Sequence, residues 1–162
     1  SLLRAGYAQA LAVEPNPPTL QRLDYNLKLN DFSDRARVVP NGVGPEGELE
    51  FYQTGGLGGS SFVKPSGEVK SVIIQTLPLL DILKKHQIER IGGMKVDVEG
   101  FEDRVLIPFL QEAPDALLPR RIVMEFCHQQ QWSEDIRTQF SKRGYRLAGR
   151  TRANELFERM PE

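Results

Sequence analysis

Met94-Lys95-Val96-Asp97-Val98-Glu99-Gly100-Phe101-Glu102 reads as the end of a strand, a turn and the start of a helix. Met94 to Val98 is apolar except for Lys95 and Asp97, and the helix that follows carries Val105, Leu106 and Phe109 at helical spacing. Outward from this stretch the pattern repeats. Upstream, Gln9 to Val13 is a short apolar run that stops at Glu14-Pro15-Asn16-Pro17-Pro18, with Asn16 placed to cap a helix carrying Leu20, Leu23 and Leu27 from about Pro17 to Leu29. Downstream, Arg121 to Phe126 is a strand, Ser133 is placed to cap a helix marked by Ile136 and Phe140, and Tyr145 to Ala148 begins a final strand pair that ends with Asn154 to Arg159. Strands alternating with helices predict an α/β fold with a mostly parallel sheet, helices on both faces and an antiparallel C-terminal strand. In such sheets ligands bind beyond the strands' carboxyl ends.

The middle of the chain departs from that alternation. Arg37 to Pro40 reads as a strand, Asn41 to Gly47 as a turn, and Glu48 to Gln53 with Val69 to Gln75 as an inserted β-hairpin. Thr76 is placed to cap the helix of Leu79, Leu80 and Leu83. Gly55-Gly56-Leu57-Gly58-Gly59-Ser60-Ser61 has no helix after it to lend an N-terminus to a phosphate, and reads as a flexible hairpin loop.

The 162 residues, 40% of them apolar, suffice for one domain with one core. A net charge of -1 supplies no field to attract a polyanion, so no nucleic-acid partner is expected, and Arg120-Arg121 and Arg150 to Arg152 read as solvated strand ends. Cys127 is the only cysteine, which fits a reducing, cytoplasmic setting and a structural thiol. No run is long enough to span a bilayer, and Ser1 to Ala8 lack a signal peptide's pattern, so no membrane partner is expected.

Three acidic positions fall just after strands: Glu14, Asp97 with Glu99, and Glu125. A carboxylate after a strand can accept hydrogen bonds from both ribose hydroxyls of a nucleotide, although Glu14 alone serves equally as a helix-approach carboxylate. Asp97, a charge within an apolar stretch, must be paired, solvated in a cleft or protonated. Glu102 lies in a helix's first turn, where a carboxylate faces the N-terminal dipole, so capping competes with a functional role. His128, two residues past the Arg121 strand, titrates near neutrality and is a candidate proton acceptor, with a plain surface histidine as the alternative. His86 and His128 are the only histidines, no zinc spacing is present, and no metal is expected.

Together these residues resemble the FkbM-type methyltransferases. The match runs through Val13-Glu14-Pro15-Asn16-Pro17, Asn26-Leu27-Lys28-Leu29-Asn30, Asn41-Gly42-Val43 before Gly47-Glu48-Leu49-Glu50-Phe51-Tyr52, Ser60-Ser61, Thr76-Leu77, Lys95 to Glu102, Val105-Leu106 and Glu125-Phe126-Cys127-His128. Singly these pieces are weak; their order and spacing cover roughly residues 9 to 128. The resemblance implies a Rossmann-like fold and methyl transfer from S-adenosylmethionine to a hydroxyl of a sugar or other natural-product small molecule. It places Glu14 at the ribose hydroxyls with Asn16 beside it, Asn41, Gly42 and Val43 along the adenine, and Asp97 near the methionine end and the acceptor. Asp97, His128 and Glu125 are then the catalytic candidates, and Glu99 and Glu102 face the acceptor.

Departures from the family pattern are Pro78 in place of an acidic residue and Pro108 in place of glycine; Pro108 is expected to bend or end its helix after Ile107. A family member also begins with a strand and a loop resembling Asp-x-Gly-Ala-Asn-x-Gly, which these residues lack. The expectation is an N-terminally truncated domain, with Ser1 to Ala8 the tail of the following helix. The lost strand would lie between the Gln9 and Met94 strands, and the 162 residues alone would neither fold stably nor bind the cofactor. Two other readings share the alternation: a nicotinamide-dependent oxidoreductase, disfavoured by the Asp-Val-Glu-Gly context and the absence of a Tyr-x-x-x-Lys pair, and a non-catalytic α/β binding module.

Overall fold

Ile122 and Met124 are fully buried while Arg121 is exposed, an alternation that makes Arg121–Glu125 the central strand of the largest sheet. The computed structural model describes residues 2–53 and 60–160, so the glycine-rich stretch 54–59 lies outside the described residues. In chain order the elements are β1 (Ala10–Val13), α1 (Pro17–Leu29), β2 (Ala36–Val39), β3 (Gly42–Val43), β4 (Gly47–Gln53), β5 (Lys70–Leu77), α2 (Leu79–Lys85), β6 (Gly93–Val96), α3 (Glu102–Glu112), β7 (Arg121–Glu125), α4 (Ile136–Lys142), β8 (Tyr145–Arg150) and β9 (Asn154–Arg159).

Among the described residues these strands form three sheets of mixed pairing. β1 and β2 run parallel; β5 lies between β3, to which it is parallel, and its antiparallel hairpin partner β4; and the third sheet has the order β6-β7-β9-β8. β6 and β7 are parallel, while β9 is antiparallel to both β7 and β8. A mostly parallel sheet is therefore corrected to an even mixture. The reason is local: Thr151 Oγ1 accepts from the Asn154 amide at 2.9 Å and turns β8 into β9, and the inserted hairpin brings its own antiparallel pairing.

Several local expectations change. Thr76 lies within β5 and its hydroxyl donates to the carbonyls of Pro45 (2.5 Å) and Gly47 (3.2 Å), so Pro78 instead stands before α2. Asn16 holds the N-cap position of α1 without a side-chain cap; its Oδ1 accepts from Gln53 Nε2 at 3.3 Å. Asp135, not Ser133, caps α4 by accepting from the Arg137 amide. Asn41 to Gly47 is not all turn, because Gly42–Val43 pairs with β5. α3 continues through Pro108, which is exposed, to Glu112, held by the buried Val105, Leu106, Phe109 and Leu110.

The core gathers where α3, α4 and the third sheet meet. Leu106, Leu110, Ile122, Met124, Ile136 and Phe140 are wholly buried, and Phe140 stacks on Phe157 with ring centroids 4.0 Å apart. No helix of the described residues is long and apolar enough to cross a membrane. Tyr7 packs its ring against Gly92 and Gly93, where a Cβ on Gly93 would lie 2.4 Å from the hydroxyl. Glycine at that position thus lets the segment entering β1 lie against the beginning of β6.

Phe140→Ala in the natural full-length protein should lower unfolding free energy by about 3–5 kcal/mol, against little change for the exposed Leu147→Ala, both read by urea denaturation. Tyr145 provides a pH test. Its hydroxyl donates to the Pro119 carbonyl at 2.6 Å, and burial pushes its pKa up to about 12. Between about pH 10 and 12 the unfolded chain releases a proton that the folded chain keeps, so stability present below that window is lost as pH rises through it. Tyr145→Phe should cost about 1 kcal/mol at neutral pH yet lose stability less steeply than wild type in the alkaline window; equal slopes would contradict the assignment.

Candidate active site

Parallel pairing aligns Val96 of β6 with Met124 of β7, so the residues that follow, Asp97 and Glu125, stand side by side where both strands end. The Lys95 ammonium pairs with Asp97 Oδ2, and the Asp97 side chain stays 40% exposed. Asp97 thus satisfies its charge by pairing at a partly exposed position, just past the strand rather than within it. Glu125 is more enclosed. Its Oε2 is buried without a hydrogen-bond partner. Burial, then the negative charges of Asp97 and Glu99, then a hydrogen bond with Asp97, raise its pKa above the ordinary carboxylate range. Burial and the neighbouring Glu125 likewise push the Cys127 thiol up, which disfavours a reactive thiolate although the residue is exposed.

The loop after β6 is shaped by two consecutive left-handed residues, Glu99 (φ 52°) and Gly100 (φ 93°). Gly100 admits no side chain: a Cβ there would lie 1.9 Å from Gln131 Oε1. Glu102, only 1% exposed, holds this loop. Its carboxylate accepts from the amides of Val98 (3.1 Å) and Gly100 (3.1 Å) and from the Trp132 indole (2.9 Å). Asp103 does the same for the loop after β7, accepting from the Ser133 amide and hydroxyl at 2.7 Å each. The two loops are thereby locked together, and His128 Nε2 comes to lie 3.1 Å from Glu99 Oε2. Ser61 fixes the loop from the other side by donating to the Glu99 carbonyl at 2.7 Å. Glu99, Glu125 and His128 each offer one ligand atom within 4.8 Å of the others.

The second group of expected residues lies around β1 and β3. Glu14 is half-buried, with Oε1 accepting from the Asn16 amide at 2.8 Å; burial raises its pKa more than that hydrogen bond lowers it. Asn41 donates to the Gln75 carbonyl at 3.4 Å. Gly42 is buried with Phe62 filling the place of its side chain, 2.5 Å from a notional Cβ, and Val43 packs against the core. The structure thus gathers Asp97, Glu99, Glu125 and His128 into one cluster, with Glu102 enclosed beneath it, and keeps Glu14, Asn16, Asn41, Gly42 and Val43 on other elements.

An open hollow of about 390 Å³ is lined by Pro45, Leu49, Phe62, Val63, Lys64, Phe101 and Arg104. It adjoins the cluster through Phe101, two residues past Glu99, and Phe62, next to Ser61. None of these residues was named as a site residue from the sequence, although Leu49 and Phe101 lie within the stretches that carry the family resemblance. Trp132 and Asp103 were also missed, and their only signal is burial of polar groups that emerges on folding.

An α/β chain with carboxylates and an imidazole gathered at the ends of neighbouring parallel strands has the layout of a ligand-binding or catalytic α/β domain. The model of the methyltransferase FkbM domain matches residues 2–147, and this chain belongs to that family. A crystal structure of methyltransferase FkbM from Methylobacillus flagellatus KT is similar in fold, with a TM-score of 0.57 at 17% identity over 97% of this chain. This chain spans 38% of that protein's length. No curated protein sequence matches it.

Glu102→Gln replaces one acceptor oxygen by a donor facing N–H groups, and should cost about 1–3 kcal/mol. Trp132 is the only tryptophan, so its emission should shift to the red, and amide exchange at Val98 and Gly100 should quicken. Unchanged exchange at both amides would show that Glu102 does not hold the loop.

Proposed function

We propose that this chain forms part of an S-adenosylmethionine-dependent O-methyltransferase of Rossmann-like fold that acts on a hydroxyl of a sugar or other natural-product small molecule. Family membership supports methyl transfer. The observation that carries the site assignment is the convergence of Asp97, Glu125, Glu99 and His128 at the ends of β6 and β7. Glu14 fits the cofactor's ribose: one oxygen is held by the Asn16 amide, and among the described residues the other accepts no hydrogen bond. Asn16 and the Asn41 to Val43 segment are assigned beside it, with Gly42 acting through its backbone because Phe62 covers its other side.

Bound S-adenosylmethionine supplies an activated methyl group on a sulfonium, so the chain's main tasks are to align an acceptor oxygen and take its proton. Asp97 suits both. It is exposed to the cleft, it accepts through two oxygens, and Lys95 occupies only one of them. His128 is already engaged with Glu99, so it flanks the acceptor while Asp97 receives the proton. Glu125 fixes Asp97 from the neighbouring strand. Glu102 acts one step further away, by holding the Asp97 to Phe101 loop in place. The hollow beside the loop suits an acceptor with an apolar face against Phe62 and Phe101 and polar groups toward Lys64 and Arg104. The lone, exposed Cys127 fits work in a reducing, cytoplasmic compartment.

Calorimetric titration of the natural full-length protein should show heat with S-adenosylmethionine and none with NAD, and Glu14→Ala should weaken binding about tenfold, equivalent to about 1.4 kcal/mol. With a labelled methyl donor and a panel of hydroxylated sugars and glycosides, Asp97→Asn should lower kcat about a hundredfold or more. Heat with NAD alone, or an unchanged kcat in Asp97→Asn, would sink this reading.

A further inference from the structure

The same cluster contains a set of metal-donor groups, Glu99, Glu125 and His128. Glu99 Oε2 and His128 Nε2 lie 3.1 Å apart, and one Glu125 oxygen completes a group whose members are all within 4.8 Å of one another. Two ligands about 2.1 Å from one ion at a right angle are about 3.0 Å apart. The Glu99–His128 separation is therefore already that of neighbouring ligands on one ion. Glu125, carried by β7, supplies the third donor atom.

The independent observation is that oxygen itself. Glu125 Oε2 is buried and accepts no hydrogen bond. An unsatisfied carboxylate oxygen removed from water is costly unless a proton or a cation meets it. Asp97 and Glu99 add negative charge on the same side, and no described lysine or arginine pairs with Glu125. The Lys95 ammonium is committed to Asp97. A cation among Glu99, Glu125 and His128 answers the buried oxygen and the repulsion together.

We propose that Glu99, Glu125 and His128 bind one divalent transition-metal cation. The donor chemistry narrows the class: an imidazole with two carboxylates suits Mn²⁺, Fe²⁺ or Zn²⁺, whereas Ca²⁺ takes oxygen ligands alone. An imidazole nitrogen binds a metal through its lone pair, so such a site holds the ion more weakly in acid. Rigid support is present on each side. Gly100 and Glu102 fix the backbone of Glu99, Ser61 holds its carbonyl, and β7 carries Glu125. The binding claim itself does not depend on methyl transfer.

The test is titration of the natural full-length protein with Mn²⁺ alone, following loss of the free-ion electron paramagnetic resonance signal, with Zn²⁺ and Ca²⁺ as competitors. One site is expected, displaced by Zn²⁺ and not by Ca²⁺. Glu125→Gln and His128→Asn should each weaken it about tenfold or more, and Glu112→Gln, an exposed position on α3, should leave it unchanged. Metal-free melting curves of the variants matching wild type, with the metal-induced rise in melting temperature lost, separate ligand loss from misfolding. Absence of Mn²⁺ and Zn²⁺ binding, displacement by Ca²⁺ as readily as by Zn²⁺, or binding that survives both variants would overturn the proposal. Cofactor titration on the same samples gives a separate result, so a metal-free protein that binds S-adenosylmethionine would refute the cation and leave the methyltransferase reading standing.

Discussion

The carboxylate of Glu102 is the constraint from which the site's geometry follows. It is removed from water, so its charge is tolerable only because Val98, Gly100 and Trp132 bring N–H groups to it. Those donors come from two different loops. Satisfying one buried charge therefore fixes the turn after β6 and the turn after β7 relative to each other. The left-handed backbone of Glu99 is sustained by this arrangement, since Gly100 beside it has no side chain to obstruct Gln131. Asp103 repeats the device one residue later through Ser133.

Electrostatics at the strand ends run against ordinary surface practice. Glu155, 1% exposed, shows the ordinary solution: it receives a two-pronged contact from Arg137 and a further one from Arg150. At the ends of β6 and β7, Asp97, Glu99 and Glu125 converge around one lysine and one histidine. After burial, the charges of Asp97 and Glu99 raise the proton affinity of Glu125, and such an arrangement lowers stability unless a ligand or ion relieves it. A fold that pairs Glu155 fully yet leaves Glu125 Oε2 unanswered concentrates its unfavourable electrostatics at the cleft.

Much of the frame was legible because it depends on short-range patterns. The Pro17-Pro18 start and the spacing of Leu20, Leu23 and Leu27 place α1 at the observed residues, and the Asn154 to Arg159 strand also matches. Asp97 was expected to be paired, solvated or protonated, and the Lys95 ammonium, two residues before it, supplies the pairing. Failures arose where a tertiary partner outweighed a local preference. Thr76 has the right chemistry for a cap, but the carbonyls of Pro45 and Gly47 reach its hydroxyl first. Asn16 gives its side-chain oxygen to Gln53 instead of to α1. Pro108 would break a helix by its chemistry, yet it faces solvent and α3 is held by Val105, Leu106, Phe109 and Leu110 on the opposite side. At the site, Glu102 could be placed in a first turn, but its burial depends on Trp132, thirty residues away. No local pattern encodes that contact.

The two groups of site residues rest on unequal supports. β7, α3 and α4 contribute wholly buried side chains, and the acceptor-side cluster is built on their ends. β1 and α1, which carry Glu14 and Asn16, hold no fully buried apolar residue: Leu20, Leu23 and Leu27 are only half-covered, and every β1 residue is intermediate. Fewer buried contacts mean a lower free energy for local opening, so the elements that carry Glu14 are the softer part of the fold. A ligand that touches both groups would, under the proposed function, stabilise the folded chain by binding it and not the unfolded one. Under the proposed function, rigidity where the proton and methyl group are aligned and adaptability where the ribose is gripped divide the work as the packing itself is divided. Alignment errors of an ångström matter at the former, whereas a carboxylate meeting two hydroxyls tolerates adjustment.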